Sequence, residues 1–246
     1  MTESGNKSDS QEVYRLADMH FEGPNLDLPS PPADLPYERF EDWRSRELLA
    51  RNGIPATEEA LLAALQTQSN VLLSAAAHAS ASLPAAAPLL RQIIHGPDDY
   101  AAVEAAYALA RLGEEDGKET LRNALRRPLG AYLSPVLAAG YLAQLGDPSG
   151  FPVIREALGH ELLAIRMLAC KQLFFFVPYQ GQVDALGLFE RALEDRDPTV
   201  QGQALAQLRS LRSPATRPML EKYLKHVEDR YLRDLAREIV EALPKT

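Results

Sequence analysis

Apolar residues recur at three- and four-residue spacing along most of the chain, which is the pattern of helices with one buried face. The stretch at 105–112 shows it, with Ala105, Ala108, Leu109 and Leu112 on one face. Small alanine and glycine residues lie in the middle of these segments and allow neighbouring helices to approach closely. The pattern predicts a chain built from closely packed helix pairs.

The helical pattern repeats with a period of about 33 residues. The segment AAYALARLG at 105–113 realigns with AAGYLAQLG at 138–146, and LRNAL at 121–125 realigns with IREAL at 154–158. The downstream helices end at spacings of 33, 35 and 31 residues, at Leu125, Leu158, Leu193 and Leu224. Because segments from both helices of the unit repeat with the same period, we expect a stacked-repeat architecture.

The repeat divides the chain into three parts. Residues 1–36 include four prolines between positions 26 and 36, which predicts an extended, partly disordered leader. Residues 37–69 are expected to form N-terminal helices, and residues 70–246 a solenoid whose last helix, at 228–243, is an amphipathic cap. The two-helix units are predicted at 70–96, 98–128, 131–159, 161–195 and 197–226.

This pattern resembles the HEAT-like repeat family, in particular the short bacterial type named after phycobilisome lyases. The matching residues are Leu112-Gly113, Leu145-Gly146-Asp147-Pro148, Ile165-Arg166…Ala169 and Val200…Ala204. The resemblance implies an all-α, right-handed α-solenoid over about residues 70–243. It also implies that the second helices of the units line the concave face. It says little about function, because this fold serves many functions.

Composition agrees with an all-α chain. Alanine and leucine dominate the hydrophobic 46% and aromatic residues are only 7%, whereas strands favour β-branched and aromatic residues. The single cysteine, Cys170, cannot form an intramolecular disulfide, and we see neither a signal peptide nor a membrane span. We therefore expect a cytoplasmic protein that does not engage a membrane.

The net charge of −8 makes nucleic acid an unlikely partner. Much of this acidity lies at the N-terminus, because residues 1–40 carry eight acidic and three basic residues. Trp43 is the single tryptophan and lies outside the repeats, which disfavours the basic, aromatic groove of DNA-glycosylase relatives.

Candidate chemistry is sparse. His160-Glu161 is the one adjacent His-Glu pair, whereas the di-iron hydroxylases that resemble this scaffold use several such pairs on successive repeats. Neither a glycine-rich phosphate loop nor a Gly-x-Ser-x-Gly elbow is present. We expect no catalytic residue, no metal and no cofactor. The alternative is an enzyme of the lyase or hydroxylase kind, or a nucleic-acid-binding protein, that uses the concave groove.

An aromatic run is the first candidate contact for a partner protein. Phe174, Phe175 and Phe176 precede Tyr179 where the fourth unit gains about four residues in its turn. Phe176 occupies a core position, and consecutive helical residues point about 100° apart, so the three rings cannot share one core face. Phe174, Phe175 and Tyr179 are therefore candidate partner contacts. The alternative is that the extra ring fills a gap against a neighbouring repeat.

The outward positions of the second helices are the second candidate. Lys118, Arg122 and Arg126 form a stripe at i, i+4 and i+8, and Arg155 is equivalent to Arg122 in the next unit. Glu190 and Glu221 take that position in the last two units, so the strip begins basic and becomes acidic. A strip of this kind suits a polar partner, and a plain solvated helix face is the alternative.

These features together favour a non-catalytic protein-binding scaffold or adaptor that engages another protein through the concave face of the solenoid. A toxin-neutralising immunity protein and an assembly factor both fit this description. The sequence does not separate them, and it does not fix the oligomeric state.

Overall fold

The computed structural model describes residues 26–32, 34–129 and 133–244, and within these ranges the chain forms thirteen α-helices and no β-strand. The predicted all-α solenoid of two-helix units with a capping helix is confirmed. The helices are α1 (Phe40–Arg51), α2 (Glu58–Thr67), α3 (Asn70–Ala79), α4 (Ala87–Ile94), α5 (Asp99–Arg111), α6 (Glu115–Ala124), α7 (Ser134–Gln144), α8 (Phe151–Ala157), α9 (Leu163–Leu173), α10 (Ala185–Leu193), α11 (Pro198–Leu211), α12 (Arg217–Leu224) and α13 (Arg230–Ala242).

Each predicted unit corresponds to one observed helix pair, from α3/α4 to α11/α12, and α13 packs on the last pair as the cap. Gly113 and Gly146 follow the first helices of units 2 and 3 with φ of +88° and +91°, the left-handed conformation that ends a helix. Aspartate side chains accept backbone N–H groups where α5, α10, α11 and α13 begin.

The N-terminal part contains the two expected helices. A short 3₁₀ turn at Tyr37–Arg39 leads into α1, and the side chain of Thr57 caps α2. The predicted leader lies largely outside the described residues; its described part, 26–32 and 34–36, forms no helix or strand. None of the described helices is long and apolar enough to cross a membrane.

The first helices of the units form a closely packed row. Helices α3, α5, α7, α9 and α11 each pack directly on the next, and α13 continues the row. Consecutive second helices from α4 onward approach one another much less closely, although each packs on a neighbouring first helix. A stack that is tighter along one row curves toward that row, so the first helices lie on the inside of the curve.

Small residues at repeat spacing allow the two helices of a unit to pack tightly. Gly117 and Gly150 lie 33 residues apart, and a Cβ atom on Gly117 would lie 2.5 Å from both the Ala106 oxygen and the Ala110 nitrogen. A Cβ on Gly150 would meet Ala139 Cα at the same distance. Backbone atoms cannot move aside as a flexible side chain can, so these glycines set how closely the second helix approaches the first.

The apolar core follows the repeat. Leu109 and Leu142 take the same position in units 2 and 3 and are fully buried, and Phe176 fills the predicted core position in unit 4. Arg166, from the Ile165-Arg166 motif, is also buried and forms a two-armed ion pair with Asp195, with N–O distances of 2.9 and 3.2 Å. This pair ties the start of α9 to the loop that leads into α11.

We predict that Gly117→Ala destabilises the protein by about 1–3 kcal/mol through overpacking. The sign of the change in unfolding free energy distinguishes the two cases, because a Gly→Ala change at an unconstrained helix position stabilises a protein by up to about 1 kcal/mol. Glu119→Ala, an exposed change on the same helix, is the control. Urea unfolding measures both variants, and a Gly117→Ala protein as stable as wild type would contradict the close approach of α5 and α6.

Candidate functional site

Helix α1 lies across the row of first helices and touches distant units. The Asp42 carboxylate is 3.0 Å from Nε2 of His78 in unit 1. The neighbouring Glu41 forms an ion pair with Lys171 in unit 4. Adjacent residues of one helix can reach both units only if the first-helix face curves around them.

This geometry corrects one expectation. The resemblance to HEAT-like repeats led us to place the second helices on the concave face, but the concave face is formed by the first helices and is partly covered by α1. The inner helix of each unit is the first one, not the second. The helices rich in small residues pack closest and therefore form the inside.

We refer to residues 37–44, the 3₁₀ turn and the start of α1, as the strap. The Tyr37 ring lies 4.5 Å from that of Phe174 and 5.8 Å from that of Phe175, measured between centroids. The Tyr37 hydroxyl donates to the Lys171 carbonyl at 3.3 Å, and the Lys171 ammonium lies 5.1 Å from the Phe40 ring centroid. The strap is thus held on unit 4 by both aromatic and ionic contacts.

A chain of buried polar side chains lies beneath the strap. Nδ1 of His78 is 2.8 Å from Glu104, and the Tyr141 hydroxyl donates to the same carboxylate at 2.7 Å. The Tyr107 ring stacks on Tyr141 with 4.1 Å between centroids. Together with Asp42, this chain links α1, α3, α5 and α7 through hydrogen bonds whose loss would leave buried polar groups unpaired.

Hydrogen bonds and neighbouring charges favour the charged forms of His78 and Glu41. Burial lowers the pKa of His78, but hydrogen bonds to Asp42 and Glu104 outweigh burial and raise the pKa to about 9. Burial raises the pKa of Glu41, but the charges of Lys171 and Arg44 outweigh it and lower the pKa to about 2. His78 is therefore protonated, and Glu41 ionised, at neutral pH.

The predicted aromatic candidates lie beside the strap. Phe174 is buried, whereas Phe175 and Tyr179 are half-buried, and the Tyr179 hydroxyl donates to the Ala143 carbonyl at 2.7 Å. The three residues line a concave cleft of about 550 Å³. The structure therefore brings them together on the concave face.

The predicted charged strip lies on the second helices, away from this cleft. Arg122 is exposed and pairs with Asp147 and Glu115, while Lys118 is half-buried. Glu190 pairs with Lys222, and Glu221 with Arg217. Arg126 and Arg155 are exposed, with no ion-pair partner among the described residues.

Sequence reasoning missed the arginines on the concave face. Arg39, Arg46 and Arg111 line a second cleft, of about 470 Å³, together with Trp43. These arginines lie on α1, on the 3₁₀ turn before it and on α5, so no regular spacing in the sequence relates them. They come together only because α1 crosses the row of first helices. The crossing itself has no signal in the repeat pattern.

Among the described residues no group of three or more His, Cys, Asp or Glu side chains is placed to hold a metal ion. Nδ1 of His160 accepts the backbone N–H of Leu162, and the Glu161 side chain is exposed. Cys170 is fully buried, and burial raises the pKa of its thiol.

The described residues form an α-solenoid of stacked helix pairs with one concave face. Residues 101–127, which cover most of α5, all of α6 and the turn after it, match the family described as PBS lyase HEAT-like repeat. No curated protein matches the chain in sequence.

Solved structures of similar fold share little sequence with the chain. An engineered protein is 16% identical, with a TM-score of 0.47, over 75% of this chain and 95% of its own. The complex of CpcE and CpcF of phycocyanin lyase from Nostoc sp. PCC7120 is 18% identical, with a TM-score of 0.45, over 91% and 99%. Human deoxyhypusine hydroxylase is 19% identical, with a TM-score of 0.38, over 96% and 91%.

We predict that His78 stabilises the fold below neutral pH and loses this effect at high pH. The folded pKa of about 9 lies above the unfolded value of about 6.5. The stabilisation is therefore complete below about pH 6.5 and is lost as the pH rises through 9. The difference in unfolding free energy between wild type and His78→Gln, measured in urea, should shrink over this window. A difference that stays constant from pH 6 to 9.5 would contradict a charged His78.

Proposed function

We propose that this protein is a non-catalytic scaffold that binds a partner protein through its concave, first-helix face. The observation that carries the proposal is the docking of the strap, which shows that this face accommodates a polar helical segment through ion pairs and stacked rings. A solenoid offers such an extended inner surface for recognition.

The part of the face beside the strap has the residues that protein interfaces use. Phe175 and Tyr179 keep part of their rings accessible, and Arg111 is exposed in the same cleft. Aromatic and arginine side chains contribute most often to binding hot spots, because they combine large contact area with directed polar groups. A partner that covers this cleft would touch units 2, 3 and 4 at once.

The charged strip on the second helices remains a prediction for a second contact area. Arg122 is already paired with Asp147, and Glu190 with Lys222, so these side chains would exchange existing partners on binding. Arg155 would not, because no described residue pairs with it. We place the main contact on the concave face and use the strip as the comparison surface.

The test is site-specific photo-cross-linking in the native host. A photoreactive amino acid at position 175 reports on the concave cleft, and one at position 155 reports on the second-helix face. We expect a discrete cross-linked partner protein from position 175. The partner, identified by mass spectrometry, is then purified and its affinity measured with the full chain.

With the purified partner, Phe175→Ala should weaken binding about tenfold or more, as expected for a hot-spot ring. The double reversal Arg122→Glu and Arg155→Glu should leave the affinity within about twofold, since exposed charges outside an interface contribute little. Circular dichroism melting confirms that each variant is folded. A complex lost with the arginine reversals but kept with Phe175→Ala would move the binding face to the second helices.

A further inference from the structure

The two clefts beside the strap adjoin, and we refer to them together as the flank trough. Both are lined by Arg39, Asp42 and Arg111. One reaches Ser82 after α3, and the other reaches Tyr179 after α9. This flank trough therefore runs across the concave face from unit 1 to unit 4.

One end of the trough is basic. Arg46 lines this end, together with Arg39 and Arg111, which line both clefts. Arg111 lies 3.9 Å from Asp42, whereas Arg39 and Arg46 form no ion pair with any described residue. Asp42 is the carboxylate at this end, and it is already bound to His78, which carries a charge at neutral pH. A concentration of positive charge in a chain of net charge −8 favours a negatively charged ligand.

The other end is aromatic. Phe175, Pro178 and Tyr179 line it, and Glu38 is its one carboxylate besides Asp42. Ring faces and a proline offer a seat for a large apolar side chain. The trough therefore has a basic end near unit 1 and an aromatic end near unit 4.

We infer that the flank trough binds an extended acidic segment of the partner protein, with carboxylates at the three arginines and an aromatic or large aliphatic side chain at the Phe175 end. This inference rests on the proposed function. Clefts of about 470 and 550 Å³ are large enough for individual side chains, and together they extend from unit 1 to unit 4. Arginine forks bind carboxylates through paired hydrogen bonds, which fixes the register of such a segment.

The probe is a library of random 12-residue peptides displayed on phage and selected on the full chain. We expect enrichment of peptides that combine several Asp or Glu residues with one aromatic or large aliphatic residue. A selected peptide is then synthesised with a fluorophore, and its affinity is measured by fluorescence anisotropy.

The double variant Arg39→Ala and Arg46→Ala should weaken this peptide about tenfold or more, because charge-assisted contacts are lost. The matched control Arg126→Ala and Arg155→Ala removes the same charge from the second-helix face and should change the affinity less than twofold. The affinity should also fall with added salt.

Enrichment of neutral or basic peptides, or equal weakening by both arginine pairs, would overturn the inference. So would tighter binding of a 20-nucleotide single-stranded DNA with the same dependence on Arg39 and Arg46, which would make the trough a nucleic-acid site. If position 175 cross-links a partner whose affinity ignores the Arg39/Arg46 pair, the proposed function stands and the acidic-segment inference fails.

Discussion

Two adjacent carboxylates of α1 bridge units 1 and 4 across the concave face. Asp42 binds His78 of unit 1, and Glu41 binds Lys171 of unit 4, so one helical turn connects units that lie far apart along the array. In a linear stack each unit contacts its neighbours alone. Here the strap also connects unit 1 directly to unit 4. The position of the concave clefts depends on this bridge, because both are bounded by strap residues.

Beneath the bridge, His78, Glu104 and Tyr141 form a connected chain of buried hydrogen bonds. A buried histidine beside one carboxylate would be costly, but His78 lies between Asp42 and Glu104, and Glu104 also accepts the Tyr141 hydroxyl. Each ionised group therefore has a partner, and the low dielectric that penalises a lone charge strengthens these pairs. The same interior links four helices, which gives the concave face one defined shape for a partner to meet.

The architecture could be predicted from the sequence, because it is local and periodic. The 33-residue period located the helix pairs of units 2 to 5, and Gly113 and Gly146 marked the ends of two first helices. The concave face could not be assigned in this way. Apolar periodicity shows which side of a helix is buried, but curvature depends on how closely successive helices pack within each row, and the apolar pattern does not report that distance. The family register was applied to the wrong helix of each unit.

The strap could not be predicted for a different reason. Helix α1 carries mixed charges on most of its surface, so its pattern resembles a solvated helix. The strap's partners Lys171 and Phe174 lie about 130 residues away in sequence. The aromatic turn was recognised as unusual, but the first partner of Phe174 is Tyr37 of the same chain. Sequence spacing does not predict an ion pair between residues so far apart in the chain, because the pair forms only when the solenoid has folded into its curve.

A double-mutant cycle on Glu41→Gln and Lys171→Gln tests the bridge most directly. Urea unfolding of the wild type, both single variants and the double variant gives the coupling free energy of the pair. Both side chains are less than a third exposed, so we predict a coupling of about 0.5–3 kcal/mol, the range for residues in contact. Residues 130 positions apart can couple in this way only if the strap lies on unit 4. Additive effects, with a coupling near zero, would contradict the docked strap and the concave site built upon it.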